Sequence, residues 1–192
     1  MPPKIKVTKE EIIKTTIELV RKSGQEAINA RAIASSLNCS TQPIFSNFDS
    51  MEELEQSTIL FAYEIYLNFI NKEVESGKYP KYKAFGMAYI RFAKEEKELF
   101  KLLFMRDRSS EETSLSPDFD ESVQMIMQAN NVSLETARRM HFELWACVHG
   151  IGTMLATSFM PLDWDTISTM LTDVYQGICA RHISEGKENV CN

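Results

Sequence analysis

Three side chains able to read the edge of a base stand within one short stretch of this chain: Thr41, Gln42 and Ser46. A Gln amide bonds adenine through a donor and an acceptor at once, and the Thr and Ser hydroxyls serve as either. Pro43 and Phe45, between them, supply apolar surface of the kind that meets a thymine methyl. Asn29, Arg31, Ser40 and Asn47 flank this set with groups suited to the DNA backbone, where contacts set register without specifying sequence. Lys6, in a basic arm with Lys4 and Lys9, adds a cation that strengthens binding to any duplex alike. The chemistry on offer is recognition of double-stranded DNA; the alternative reading of residues 29–48 is an ordinary pair of packed helices.

Bond-making chemistry finds no such set. A catalytic centre needs a base, a nucleophile or paired carboxylates held at a defined separation. The chain has no Gly-rich phosphate loop, no Gly-x-Ser-x-Gly and no His-Glu-x-x-His, so no catalytic residue is assigned and no enzyme is expected. Cys39, Cys147, Cys179 and Cys191 show no paired spacing, and His141, His149 and His182 add no ligand spacing to them. Neither a metal nor a cofactor is expected, and the thiols read as reduced.

The elements that must position the base-reading side chains are two short helices joined by a tight turn, residues 29–48. Asn29 caps the first, with Ile33, Ala34 and Leu37 as its apolar face. Asn38 tolerates the left-handed conformation that ends it, and Ser40 is the expected cap of the second, with Pro43 harmless in its first turn. Ile44 and Phe48, four apart, face the core and turn Thr41, Gln42 and Ser46 outward. Thr8 and Glu11 make a capping box for a preceding helix from about Lys9 to Ser23, with Val7 and Ile12 as its hydrophobic staple. Ile13, Ile17 and Val20 are the expected buried stripe of that helix, and Gly24 stops it.

Ser50 and Glu53 open a long fourth helix that carries Leu54, Thr58, Phe61, Ile65 and Phe69 toward Gly77. Helical patterns follow at residues 84–94 and 98–104, then a polar, Ser-rich loop over 106–120 broken by Pro117, then 119–129. Ser133 caps a helix reaching about Ser158 that is apolar nearly all round, as a helix buried among others would be. Gly150, Gly152 and Ala156 would let a neighbour approach it closely. Asp163 caps a last helix through Ile167, Met170, Leu171, Val174 and Ile178. No region alternates like a strand, so the expected fold is all-α with about nine helices.

Residues 33–54, IASSLNCSTQPIFSNFDSMEEL, closely resemble the signature of the TetR family of bacterial transcriptional regulators. The resemblance joins the Asn29-to-Ala34 helix start, the Phe45-x-x-Phe48 end of the second motif helix and the Ser50-x-Glu52-Glu53-Leu54 start of the next. It covers about the first 60 residues well. Trp145 to Gly150 also resembles the Trp-x-x-x-His-Gly signature of one subgroup's C-terminal domain, and Glu98 to Phe104 resembles the segment before it. Two departures stand out: Phe45 where the family usually has a phosphate-contacting Tyr, and Met51 where it usually has Lys. The basic arm is the expected substitute.

The resemblance implies a DNA-binding domain over residues 1–50 and a helical ligand-binding and dimerisation domain over 51–192. It implies a homodimer built on the last two long helices, binding a palindromic operator, most often as a repressor released by a small effector. Phe61, Met87, Phe104, Met125, Phe142, Trp145 and His149 are candidates for the lining of an effector site, since pliable Met-rich and aromatic walls suit apolar ligands. Glu143 lies on an otherwise apolar stripe with Cys147, Gly150 and Met154, placed to meet a cationic ligand or an Arg across the dimer. The competing expectation is a TetR-like scaffold that binds ligand or protein with weak or no operator binding.

Charge agrees with this layout. The chain carries a net charge of −6 over 192 residues, yet residues 1–50 hold seven Lys or Arg against five acids. The basic end is the motif end, so a small positive face can meet phosphate while the acidic remainder stays away from it. Hydrophobic content of 44% with 25% charged residues describes a folded globular chain. No apolar run reaches the ~18 residues of a membrane span, and the N-terminus lacks a signal h-region, so no membrane association and a cytoplasmic location are expected.

Overall fold

The computed structural model of the chain describes residues 7–107 and 117–188. Among them it is all-helical: α1 (Lys9–Ser23), a single 3-10 turn (Gln25–Ala27), α2 (Ala30–Ser36), α3 (Gln42–Asn47), α4 (Met51–Glu75), α5 (Lys81–Glu95), α6 (Lys97–Phe104), α7 (Pro117–Asn130), α8 (Leu134–Ala156) and α9 (Trp164–Glu188). No described helix is long and apolar enough to cross a membrane.

The helix ends follow local chemistry. Thr8 accepts from the Glu11 amide while the Glu11 carboxylate accepts from the Thr8 amide, completing the capping box of α1. Gly24, at φ 73° and ψ −172°, stops it in a conformation almost closed to side chains. Asn38 ends α2 and Asn131 ends α7, both left-handed at φ 51°. Ser133 and Asp163 cap α8 and α9 through the amides of Thr136 and Thr166. Pro117, expected inside a loop, is instead the first residue of α7, where a missing amide hydrogen costs nothing.

The chain forms two compact units. One comprises residues 1–68 and 95–106, the other 69–94 and 107–192. This division departs from a break at residue 50, because the start of α4 packs with the motif helices and α6 packs against α1. Leu54 is fully buried with Val7, Ile12, Ile33, Ala34, Ile44 and Phe48. Arg21 of α1 grips Glu96 through two bonds, Nε to Oε2 at 2.9 Å and Nη2 to Oε1 at 2.7 Å. Fully burying each large apolar side chain of this core is worth about 1.5–3 kcal/mol, which gives three short helices a stability their own hydrogen bonds could not.

Two buried stripes differ from the expected ones. In α1 the buried face is Ile12, Thr16, Ile17 and Val20, with Ile13 only packed against its edge. In α4 it is Leu54, Thr58, Ala62, Tyr66 and Ile70, leaving Phe61, Ile65 and Phe69 half-buried. Thr58, common to both rows, hides its hydroxyl by donating to the Leu54 carbonyl at 2.8 Å.

Among the described residues of the second unit, two apolar clusters stand out. Met87 and Ile90 of α5 pack with Ile151 and Leu155 of α8 and Ile167 and Leu171 of α9. Val123 and Ile126 of α7 pack with Ala137, Met140 and Leu144 of α8, edged by Val174 and Ile178 of α9. A Cβ on Gly86 would stand 3.4 Å from side-chain atoms of Val148 and Leu171, in ordinary contact with α8 and α9. Helix α8 is therefore not buried all round. Its second face leaves Phe142 and Trp145 exposed in the single chain, and Gly150 has open space around it.

Candidate functional site

The motif helices turn one face inward and leave the other open. Ile44 and Phe48 of α3 are buried, whereas Gln42, Phe45 and Ser46 are exposed and Thr41 and Pro43 half-buried. Thr41 rather than Ser40 precedes the helix, and it makes no side-chain cap. It is already helical at φ −72° and ψ −12°, and Pro43 in the first turn removes one of the amides a cap would serve. Ser40 is exposed and free of that duty. The Ser46 hydroxyl donates to the Gln42 carbonyl at 2.9 Å, so toward an incoming base it offers lone pairs.

The flanking residues divide. Arg31 is exposed. Asn29 is occupied as a cap: its Oδ1 accepts from the Ala32 amide at 2.9 Å and its Nδ2 donates to the Glu26 carbonyl at 3.2 Å. Asn47 is occupied too, its Nδ2 donating to the carbonyls of Pro43 at 2.7 Å and Val7 at 3.2 Å. Lys6 lies outside the described residues. Lys9, from the same arm, ion-pairs with Glu53 at 2.7 Å and sits 4.6 Å above the Phe48 ring. Met51 packs against the core beneath the motif.

The candidate effector residues are not gathered in one unit. Phe61 and Phe104 belong to the first; Met87, Met125, Phe142, Glu143, Trp145 and His149 belong to the second. Met87 is fully buried in a packed cluster and Met125 half-buried. Phe142, Trp145 and His149 do come together, as a ladder along α8. Phe142 and Trp145 stack with centroids 6.3 Å apart, and Trp145 and His149 stack at 4.9 Å and 13°. His149 Nδ1 is 2.8 Å from the hydroxyl of the buried Tyr89 of α5, and burial pushes the imidazole below its ordinary pKa. The neutral ring keeps one donor and one acceptor nitrogen.

Glu143 already has partners within its own chain. His182 Nε2 of α9 lies 3.2 Å from its Oε2, and Arg139 Nε lies 3.4 Å from its Oε1. The carboxylate only accepts, so His182 Nε2 carries the hydrogen. Burial pushes this carboxyl up, but His182 and Arg139 more than offset that and hold it below the usual carboxylate range.

Sequence reasoning missed a second polar group in the second unit. Tyr82 OH stands 2.9 Å from His141 Nδ1, with the Phe119 ring 4.6 Å from the imidazole. Tyr175 accepts from Asn130 Nδ2 at 3.0 Å, and the Cys179 thiol donates to Asn130 Oδ1 at 3.3 Å. Burial raises the pKa of Tyr82, keeping it a neutral phenol. The hydrogen-bonded partners lie 59, 45 and 49 residues apart in the chain and have no local signature. His182 was detectable: it continues the Ile167, Leu171, Val174, Ile178 row by four residues, where a polar side chain needs a buried partner.

Residues 82–175 match the model of a tetracyclin repressor-like C-terminal domain. Among solved structures, the chain is similar to a member of the TetR family from Streptomyces coelicolor A3, with a TM-score of 0.59 and 16% identity over 86% of this chain and 96% of that one. No curated protein matches the chain.

Proposed function

We propose, from the premise that this chain is a TetR family regulator with a tetracyclin repressor-like C-terminal domain at residues 82–175, that it is a repressor that binds operator DNA and releases it when a small ligand binds. The observation that carries the reading is the two-faced α3. Ile44 and Phe48 anchor it while Gln42, Phe45 and Ser46 stay open behind the left-handed Asn38 turn, the arrangement of a recognition helix. In this reading Thr41, Gln42 and Ser46 read base edges, with Pro43 and Phe45 against thymine methyls; Arg31, Ser40 and Lys6 meet phosphate. Asn29 and Asn47 act by fixing the protein backbone that presents them.

A palindromic site requires two copies. The exposed Phe142, Trp145 and Phe159 on and just after α8 supply the apolar surface of a homodimer interface shared with α9. The effector is small and largely apolar and acts through the second unit. Helix α4, which runs unbroken from residue 51 to 75 and so belongs to both units, carries the change to the reader. The effector must bind one pose of α4 better than the other, for a ligand indifferent to pose releases nothing.

The scaffold reading draws on two side chains. Phe45 is 54% exposed without a hydroxyl, and Met51 packs on the core where a cation would face phosphate. Selection of duplexes from a random pool, followed by titration at two salt concentrations, separates the readings. A repressor enriches a palindrome and binds it at least 1000-fold tighter than random DNA, on the order of known specificity ratios; a scaffold enriches nothing.

A further inference from the structure

We infer that Ser46 is a specificity-determining residue: facing a base edge it accepts a hydrogen bond and does not donate one, so the operator position it meets carries an amino base, adenine or cytosine, rather than guanine or thymine. The inference rests on the DNA-binding reading above and deepens it by naming which bases one side chain selects. A free serine reads either kind of base, because its hydroxyl both donates and accepts. This one is committed. Its Oγ donates to the Gln42 carbonyl at 2.9 Å, one turn back in α3, and a hydroxyl has a single hydrogen to give. What the exposed Ser46 turns outward is its lone pairs.

Its neighbours in the chain do not restore the missing donor. Phe45, 54% exposed, has no hydrogen-bonding group in its side chain, and Asn47 spends both amide hydrogens inside the protein, on the carbonyls of Pro43 and Val7. In the major groove adenine and cytosine present an amino group, N6 or N4, whereas guanine and thymine present acceptors as their only polar groups. An amino hydrogen aimed at Ser46 finds an acceptor. A keto oxygen in that place meets lone pair with lone pair or draws the hydroxyl off the Gln42 carbonyl; in either case a bond is lost and a desolvated acceptor is left unpaired. The place of the amino base is set as well. Ser46 follows Gln42 by four residues, about 6 Å along the helix axis, and bases stack about 3.4 Å apart, so the amino base lies within two base pairs of the one that Gln42 reads.

The test selects duplexes from a random pool with the full-length wild type, Ser46→Ala, Ser46→Thr and Gln42→Ala, each melted first to confirm the fold. Within two base pairs of the position that Gln42→Ala relaxes, the wild-type operator should carry adenine or cytosine, and Ser46→Ala should make that position indifferent. Ser46→Thr should keep the preference, because a threonine hydroxyl donates to the same carbonyl one turn back. The selected base is then replaced by its analogue without the amino group, purine for adenine or 2-pyrimidinone for cytosine. Wild type should bind that duplex more weakly by about three- to tenfold, the factor one net hydrogen bond carries, and Ser46→Ala should bind both duplexes equally. If Ser46→Ala does not fold, Ser46→Val takes its place. Guanine or thymine at the position that Ser46→Ala relaxes, no relaxed position at all, or a loss on the analogue that persists in Ser46→Ala each overturn the inference and leave the DNA-binding reading standing. A wild-type chain that enriches no sequence overturns the DNA-binding reading, and the inference with it.

Discussion

Replacing Phe142 by Ala should break the proposed homodimer and spare the monomer. The ring lies on the open face of α8 at 62% exposure, whereas its neighbour Leu144 is 6% exposed in the core. An aromatic side chain presents about 200 Å², so roughly 120 Å² of this one is available to a partner, worth about 3 kcal/mol at ~25 cal/mol per Å². A two-fold interface uses the residue twice, which sets the ceiling near 6 kcal/mol. Partial coverage and the remaining Cβ bring the expected loss to about 3–5 kcal/mol per dimer, a rise in dissociation constant of roughly 10²- to 10³-fold. Folding of the single chain should change by less than about 0.5 kcal/mol, since an exposed ring contributes little to the core. Sedimentation velocity over a concentration series measures the first quantity, and denaturant unfolding at a concentration where both proteins are monomeric measures the second. Leu144→Ala should do the reverse, costing about 2–5 kcal/mol of folding. A Phe142→Ala chain that dimerises as tightly as wild type, or a wild type that is monomeric at micromolar concentration, refutes the assignment of this face.

Gly24→Ala should destabilise by about 1–3 kcal/mol, since a side chain is forced into φ 73°, ψ −172° and its Cβ would stand 3.1 Å from the Glu98 carboxylate. Gly150→Ala, in open space mid-helix, should instead stabilise the monomer by about 0.5–1 kcal/mol; equal signs in paired urea melts would contradict the backbone argument. Glu143 has its folded pKa lowered, so its contribution is present above its unfolded pKa and is lost as pH falls through the folded value. Glu143→Gln should therefore flatten the acid limb of stability against pH below about 4.5, and a limb as steep as wild type would show that the His182 and Arg139 pairing adds nothing. Gln42→Ala should cost about 1–3 kcal/mol on a selected operator and almost nothing on random DNA, as measured by fluorescence anisotropy. Equal losses on both would move Gln42 from reading bases to holding the backbone.

Local chemistry made much of the first unit legible. The Thr8–Glu11 box, the Gly24 stop, the left-handed Asn38 and the inward pair Ile44 and Phe48 each depend on residues within four of one another, so spacing alone predicts them. The exposed Gln42, Phe45 and Ser46 follow from the same period, because burying one face of a short helix leaves the other open. What spacing does not contain is which hydrogen bonds those side chains spend inside the protein. Asn47 reaches Val7, Lys9 reaches Glu53, and Glu143 reaches His182, over 40, 44 and 39 residues. These partners meet only after the helices pack, so they are set by tertiary geometry. So is the exposure of α8, whose apolar residues read alike in sequence although Leu144 is buried and Phe142 is open. Hydrophobicity records that a side chain avoids water, and only the packed fold decides whether its cover comes from its own chain.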